Sequence, residues 1–283
     1  MQRLRGNASQ ESRAHGGRLT CVLAHKVHRV AARHRRELMN RAFKATSPNG
    51  RFTEGARQID QQPLRRVEAH GKNLFYFFGN PKAPTVVHMH FGMSGRWTTS
   101  KAPGPEPRPA CRLQLESKEL GTVTQLSAQL LQHGGLDYYA EKAAKLGPDP
   151  LREDADKERV WAAFQNRKRE VGWCLMEQSI MAGVGNIYRA EILYKSGVHP
   201  DQPANTVSRA KFELIWKHSV LLLQRGFKTG SILTVDPADA QRLGEPWTRR
   251  YIYGQTKCGE CGTKTSVYGE CRTAEQGKRG VAA

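Results

Sequence analysis

The chain is short of acids. Asp and Glu number 26 against 45 Lys and Arg, a formal charge of +19 over 283 residues, and the sequence pI is near 10.0. It has no run of about 18 apolar residues, the least a membrane-spanning helix needs. With a mean hydropathy of −0.64, a transmembrane span is excluded. It has no internal repeat. Its six cysteines, at 21, 111, 174, 258, 261 and 271, form no disulfide framework, since the first three are scattered among apolar or basic neighbours. A reducing, intracellular compartment is therefore expected. Ala102 to Pro109 has a proline at 103, 105, 107 and 109, so neither strand nor helix survives there and a loop is expected.

The basic residues are spread along the whole chain. That distribution favours a basic groove over a basic arm and suits a polyanion such as nucleic acid, although an acidic membrane surface would be attracted too. Arg3, Arg5, Arg13 and Arg18 face a single acid, Glu11, at the N-terminus. Residues 1–21 thus read as a basic extension, either disordered or of transit-peptide character.

His25 to Met39 has the spacing of a basic amphipathic helix, with Val27, Val30, Ala31 and Leu38 on one side. The period then changes. Leu74–Phe78, Val86–His90, Cys111–Leu115 and Thr122–Leu126 are short β-rich runs, for which an antiparallel sandwich is the natural product. Beyond Pro150 the pattern is helical again.

Cys174 to Pro200 is the most informative stretch. Leu175, Ile180 and Met181 precede Gly183-Val184-Gly185-Asn186, and Ile187, Ala190, Ile192 and Leu193 follow it. This predicts two packed helices joined by a glycine turn. Asn186 stands where the second begins, either as an ordinary N-cap or as one wall of an anion site made with the free N–H groups of the first turn. Lys72, after Gly71 and before an apolar run, is either a solvated lysine or a cation aimed into a groove. Met93, in Gly92-Met93-Ser94-Gly95, is either core or an exposed apolar wedge. Cys258-x2-Cys261 is half of a tetrahedral zinc site, with only Cys271 to follow and no histidine beyond His218.

The glycine-turn segment resembles the helix-two-turn-helix of the formamidopyrimidine-DNA glycosylase and endonuclease VIII family. Gly71-Lys72-Asn73-Leu74-Phe75, His88-Met89-His90-Phe91-Gly92-Met93-Ser94-Gly95 and Leu146-Gly147-Pro148-Asp149-Pro150-Leu151 are similar to that family's landmarks in its order. The resemblance covers roughly residues 22 to 261. It implies an α+β fold of two lobes: an N-terminal β-sandwich with flanking helices (22–150), a helix-two-turn-helix lobe (151–245) and a degenerate zinc-ribbon hairpin in the tail (246–283). It also implies base-excision repair by a DNA glycosylase and abasic-site lyase, with double-stranded DNA carrying oxidised bases or abasic sites as partner. A monomer is expected. His25-Lys26-Val27-His28-Arg29 resembles the endonuclease VIII branch, hence oxidised pyrimidines before purines. By the same resemblance Lys72 and Asn186 bind phosphates and Met93 wedges between base pairs when a nucleotide is extruded. The Lys72 and Met93 landmarks argue against a third class, an RNA- or ribosome-associated binder.

Two parts of the family pattern are missing. Its mature chain opens with proline and glutamate, the amine attacking C1′ of the sugar and the carboxyl acting as acid. Val22 and Leu23 occupy those positions here, no proline precedes Pro48, and no carboxylate lies between Glu11 and Glu37. No intact catalytic pair is thus expected. A wrong first exon in the gene sequence, a loss of catalysis with DNA binding kept, and processing before Val22 to expose a primary α-amine of pKa near 8 are the readings left open. The ribbon's second cysteine pair is also missing, so Cys258, Cys261 and Cys271 form an incomplete zinc site.

Overall fold

A computed structural model describes residues 23–93, 95–273 and 276–282. It opens with α1 (Ala24–Glu37), whose buried face carries Ala24, Val27 and Ala31. His34, Arg35 and Arg36 lie in its last turn, where cations suit the negative end of the helix dipole. The chain then runs through β1 (Lys44–Thr46), α2 (Thr53–Ile59), β2 (Leu64–His70), β3 (Asn73–Phe78), β4 (Thr85–His90), β5 (Arg96–Lys101), β6 (Leu113–Ser117), β7 (Thr122–Ser127), β8 (Leu130–Gly134) and α3 (Leu136–Ala144). The strands form two four-stranded antiparallel sheets, ordered β1-β6-β7-β5 and β2-β3-β4-β8. The expected sandwich is present, with the proline-rich segment between β5 and β6 free of regular structure.

Strand β3 shows why its apolar run is unbroken. Leu74, Tyr76 and Phe78 point into the core between the sheets with Leu113, Leu115 and Leu126 from the facing one. Phe75 and Phe77 point the other way, under Tyr139 of α3 at 5.1 and 5.0 Å between ring centres. A strand covered on both faces loses the alternation of a half-exposed one. Strands β2 and β5 escaped the sequence reading because LRRVEAH and RWTTSK are mostly polar, and β5 lies at a sheet edge.

The second core gathers α4 (Lys157–Gln165), α5 (Val171–Met176), α6 (Asn186–Ser196) and α7 (Arg209–Thr229). It is filled by Phe164, Leu175, Tyr188, Ile192, Phe212, Ile215 and Leu222, among others. The short α8 (Pro237–Leu243) follows, and β9 (Ser266–Thr273) with β10 (Gln276–Ala282) forms the antiparallel hairpin of the tail. Fully buried Glu191 of α6 ties down the segment before that hairpin. Its carboxylate accepts the N–H groups of Tyr251 (2.8 Å), Ile252 (2.9 Å) and Tyr253 (2.7 Å) and the Thr234 hydroxyl (2.5 Å). Among the described residues no helix is long and apolar enough to cross a membrane.

The two cores meet along α1. Arg29 donates to the carbonyls of Phe227 (2.6 Å) and Lys228 (3.0 Å) at the end of α7. The β2–β3 turn meets the glycine turn backbone to backbone. Gly71, at φ +59°, has no room for a side chain, since a Cβ there would stand 2.9 Å from the Gly183 nitrogen. Gly183, at φ +100°, would bring a Cβ to 3.0 Å from that of Ala24. Gly71→Ala and Gly183→Ala should therefore each cost about 1–3 kcal/mol in urea unfolding. Because the two sites touch, the double variant should depart from the sum. Unchanged stability in both would mean that the lobes are not seated this closely.

Three buried histidines make the fold sensitive to acid. Burial is the largest cause in each case, and it brings His25, His34 and His88 from the ordinary 6.5 to about 4. The Nδ1 atoms of His25 and His88 lie 2.8 and 2.9 Å from the hydroxyls of Tyr188 and Tyr138, and Nδ1 of His34 is paired with that of Tyr76. Between pH 6.5 and 4 the unfolded chain takes up protons that the folded one refuses, so stability falls as pH falls through that window. Near pH 5 these histidines should give an uptake of roughly 2.5 protons on unfolding, or about 3 kcal/mol per pH unit. A stability curve flat from pH 6.5 to 4.5 would contradict their neutral burial.

Candidate nucleic-acid interface

The glycine turn is longer than the sequence spacing suggested. Helix α5 stops at Met176 because Glu177 is extended (φ −74°, ψ 109°), so residues 177–185 form the connection. Ile180 and Met181 are buried within it rather than on a helix face. Their N–H groups both donate to the Glu177 carbonyl, at 2.9 and 3.1 Å. Gln178, overlooked in the sequence, braces the turn from inside. Its Oε1 accepts from the Gly183 N–H (2.9 Å), and its Nε2 donates to the carbonyls of Met176 (2.8 Å) and Val184 (3.1 Å). A glutamine five residues before a glycine carries no periodic signal, which is why it went unseen.

Asn186 is not the N-cap. Gly185 takes that place in extended conformation, and Asn186 is the first helical residue, its Oδ1 accepting from the Arg189 guanidinium. Two other elements come near it: a Cβ on Gly185 would stand in ordinary contact, 3.7 Å from Leu23 Cδ2 and 3.8 Å from Lys72 Nζ. No acid lies in the first turn of α6 or of α1. Two helix starts and a lysine thus converge on one corner, and each contributes positive potential.

Lys72 is held at that corner by two bonds made elsewhere. Its Nζ donates to the Val184 carbonyl at 3.0 Å, and the N–H of the preceding Gly71 donates to Asp149 Oδ2 at 2.6 Å. The same oxygen pairs with His28 Nε2 at 2.7 Å, while the Leu151 N–H reaches Asp149 Oδ1 at 2.9 Å. Burial pushes the Asp149 carboxyl up, but the bond and charge of His28 and the two backbone donors outweigh it and hold its pKa below the ordinary value.

Leu23, at the expected acid position, is 5% exposed and N-caps α1. Val22, at the expected nucleophile position, lies outside the described residues. His90 was missed in the sequence. It ends β4 opposite Asn73, and burial first, the Lys72 charge second, hold its pKa below 6.5. Met93 follows Gly92 (φ +65°) and is half-buried rather than exposed. Gln129 lies against that glycine, since a Cβ there would fall 2.2 Å from its Oε1.

The tail cysteines stand apart from this corner. Cys258 is buried with its Sγ 3.5 Å from the Tyr194 hydroxyl, and Cys261 is exposed with its Sγ 3.2 Å from Thr263 Oγ1. Contact with Thr263 foremost, then with Cys258, holds the Cys261 thiol below its ordinary pKa. Cys271 belongs to β9, but its side chain lies outside the described residues. Among the described residues no three His, Cys, Asp or Glu side chains come together as a metal site, so the tetrahedral set of the ribbon is not assembled from them.

Comparisons with known proteins fit this architecture. Residues 16–127 match the formamidopyrimidine-DNA glycosylase N-terminal domain, and residues 146–236 match the formamidopyrimidine-DNA glycosylase H2TH domain. "Endonuclease 8 1" of Mycobacterium tuberculosis is 33% identical over 250 residues, 84% of this chain and 91% of that protein. Formamidopyrimidine-DNA glycosylase of Thermomicrobium roseum is 27% identical over 228 residues, 74% of this chain and 78% of the relative. A solved Lactococcus lactis Fpg in complex with DNA containing an abasic site superposes with a TM-score of 0.74 at 18% identity, over 92% of this chain and 97% of the other. With both lobes matched in order and a relative of this identity aligned over most of its length, the chain belongs to the formamidopyrimidine-DNA glycosylase and endonuclease VIII family.

Proposed function

We propose that this chain binds duplex DNA at oxidised bases and abasic sites along the junction of its two lobes, as a base-excision-repair glycosylase and abasic-site lyase whose base-excision step is impaired. The observation that carries this reading is the corner itself. Lys72 and the start of α6 stand ready for phosphate, while the side chain beside them, where the family resemblance puts a carboxylic acid, is Leu23. A leucine cannot protonate a departing base, and general acid catalysis of that kind is worth about 10²- to 10⁴-fold. Oxidised pyrimidines are favoured over purines because the His25-Lys26-Val27-His28-Arg29 pattern and the 33% identical relative both lie on the endonuclease VIII side. The same leucine also favours a second reading, recognition of damaged DNA without any turnover.

Binding should run chiefly through phosphates. If about 6 are neutralised, the logarithm of the association constant should fall with the logarithm of salt at a slope near −5. Lys72→Ala and Asn186→Ala should each weaken binding with little change in melting temperature, and Lys72→Ala should flatten the slope by about 1. Met93→Ala should lose preference for an abasic over an intact duplex while its affinity for the intact one stays similar. A slope near zero, or full affinity in both polar variants, would remove the interface.

Excision should return when its missing groups do. The natural chain should show little release of oxidised pyrimidines. Removal of residues 1–21 together with Val22→Pro, Leu23→Glu and Ala24→Gly, with the initiator methionine cleaved, should yield a gain of at least about 10²-fold. A variant that binds DNA with natural affinity yet releases no base would show that Leu23 is not the reason for inactivity. A natural chain that is already fully active would show that Val22 and Leu23 are not the catalytic positions.

A further inference from the structure

We infer that Cys258 and Cys261 are a reversible redox pair, whose disulfide closes the turn of the tail covalently where the family resemblance puts a metal. The residues available do not fit zinc. A structural site is tetrahedral and filled by cysteine or histidine, yet after Cys261 the sequence offers a single further cysteine, Cys271, and no histidine follows His218. The polar groups around the pair are engaged or unsuited. Both oxygens of Glu260 accept from Arg242, at 2.9 and 2.5 Å, and the groups nearest the two sulfurs are the neutral hydroxyls of Tyr194 and Thr263.

The turn holds the two sulfurs together without a metal. The Cys258 N–H donates to the Thr263 carbonyl at 2.8 Å and the Gly262 N–H to the Cys258 carbonyl at 2.9 Å, while Lys257 and Lys264 pair as an antiparallel bridge just outside. Gly262 reverses the chain at φ +70°. Gly259 packs on Trp247, where a Cβ would stand 3.0 Å from the indole, and Trp247 Nε1 donates to the Lys257 carbonyl at 3.2 Å. Every residue of Cys258-Gly259-Glu260-Cys261 therefore has a fixed neighbour, and the Cys261 thiol is in contact with Cys258. Little conformational entropy remains to be lost when the sulfurs join. Their exposures divide the work: Cys261 is exposed, so an oxidant reaches it, and Cys258 is 4% exposed, so it is placed to answer its partner.

With hydrogen peroxide as the oxidant, the step balances. The Cys261 sulfur attacks one peroxide oxygen, the O–O bond breaks, and the thiol proton leaves with the departing hydroxide as water, giving a sulfenic acid. The Cys258 sulfur then attacks that sulfur, the S–O bond breaks, and the oxygen takes the Cys258 proton and leaves as a second water. Each sulfur has given one electron to the peroxide. A dithiol reductant returns the two electrons and two protons and reopens the turn.

The test uses the full chain, expressed with zinc supplied and purified under reduction. Metal analysis should find much less than one zinc per chain. After hydrogen peroxide, alkylation and peptide mass spectrometry should find Cys258 and Cys261 unlabelled and joined in a peptide lighter by two hydrogens, and dithiothreitol should restore both labels. Cys258→Ser should stop at a Cys261 sulfenic acid that dimedone captures, Cys261→Ser should leave Cys258 reduced, and Cys271→Ser should leave the disulfide unchanged. One zinc retained per chain, a bond from either cysteine to Cys271, or labelling of both cysteines unaltered by peroxide would overturn the inference. Each of those three outcomes is read on the natural chain, so none depends on how a variant folds.

Discussion

The arrangement of the site hangs on one buried carboxylate. Asp149 is 1% exposed and belongs to the segment between the sandwich and the helical lobe. It holds His28 of α1 and the Gly71 and Leu151 N–H groups at once. Burying a carboxylate costs several kcal/mol in lost hydration, offset only where its lone pairs are well matched. Here three donors from three parts of the chain do the matching. The Leu151 bond is local, but His28 and Gly71 find no equal partner if Asp149 moves away, so the desolvated charge makes the placement of α1 and the β2–β3 turn mutually dependent, and the Ala182 N–H, donating to the adjacent Pro148 carbonyl at 3.0 Å, brings in the glycine turn. The glycines at 71 and 183 follow from that dependence, because a backbone drawn this close has no space for a methyl group.

Much of this was legible in the sequence, but unevenly. Strand β3 and helix α1 were readable because burial writes itself into their spacing, and the tight contacts of the glycine turn because positive φ demands glycine. Lys72 and the start of α6 do meet, although nothing in their sequence separation says so; only the likeness to a family joined them. The misplacement of Asn186 by one position has a simple cause. Residue preferences name asparagine as a cap, whereas Gly185 holds the extended cap conformation here and asparagine is the first helical residue. Gln178, His90 and Gln129 stayed hidden for the opposite reason. Each acts through a contact distant along the chain or across a turn, and polar residues of that kind leave no period to read.

On the proposed reading, the chemistry of the corner follows from the leucine that stands where the family resemblance puts an acid. A carboxylate at residue 23 would compensate Lys72 and the positive ends of two helices. Leu23 compensates nothing and also keeps water from part of the space. If a phosphate binds there as proposed, its attraction is strengthened by both effects, since fewer opposing charges and a lower local dielectric each enlarge the field. On the same reading, proton delivery to a leaving base is weakened, because a leucine has no titratable group. That reading has one side chain moving binding and excision in opposite directions.

That opposition separates the family's two reactions by their proton requirements. Base removal needs a proton delivered to a poor leaving group at the moment the glycosidic bond breaks, a demand placed on one residue at one position. Reaction at an existing aldehyde needs an amine near C1′ and a proton acceptor that water can supply. On the proposed reading, the first demand is the one that Leu23 does not meet. The second places no demand on residue 23, so the two reactions need not be lost together. On the proposed reading, a scaffold without an acid at that position is thus biased toward sites from which the base has already gone.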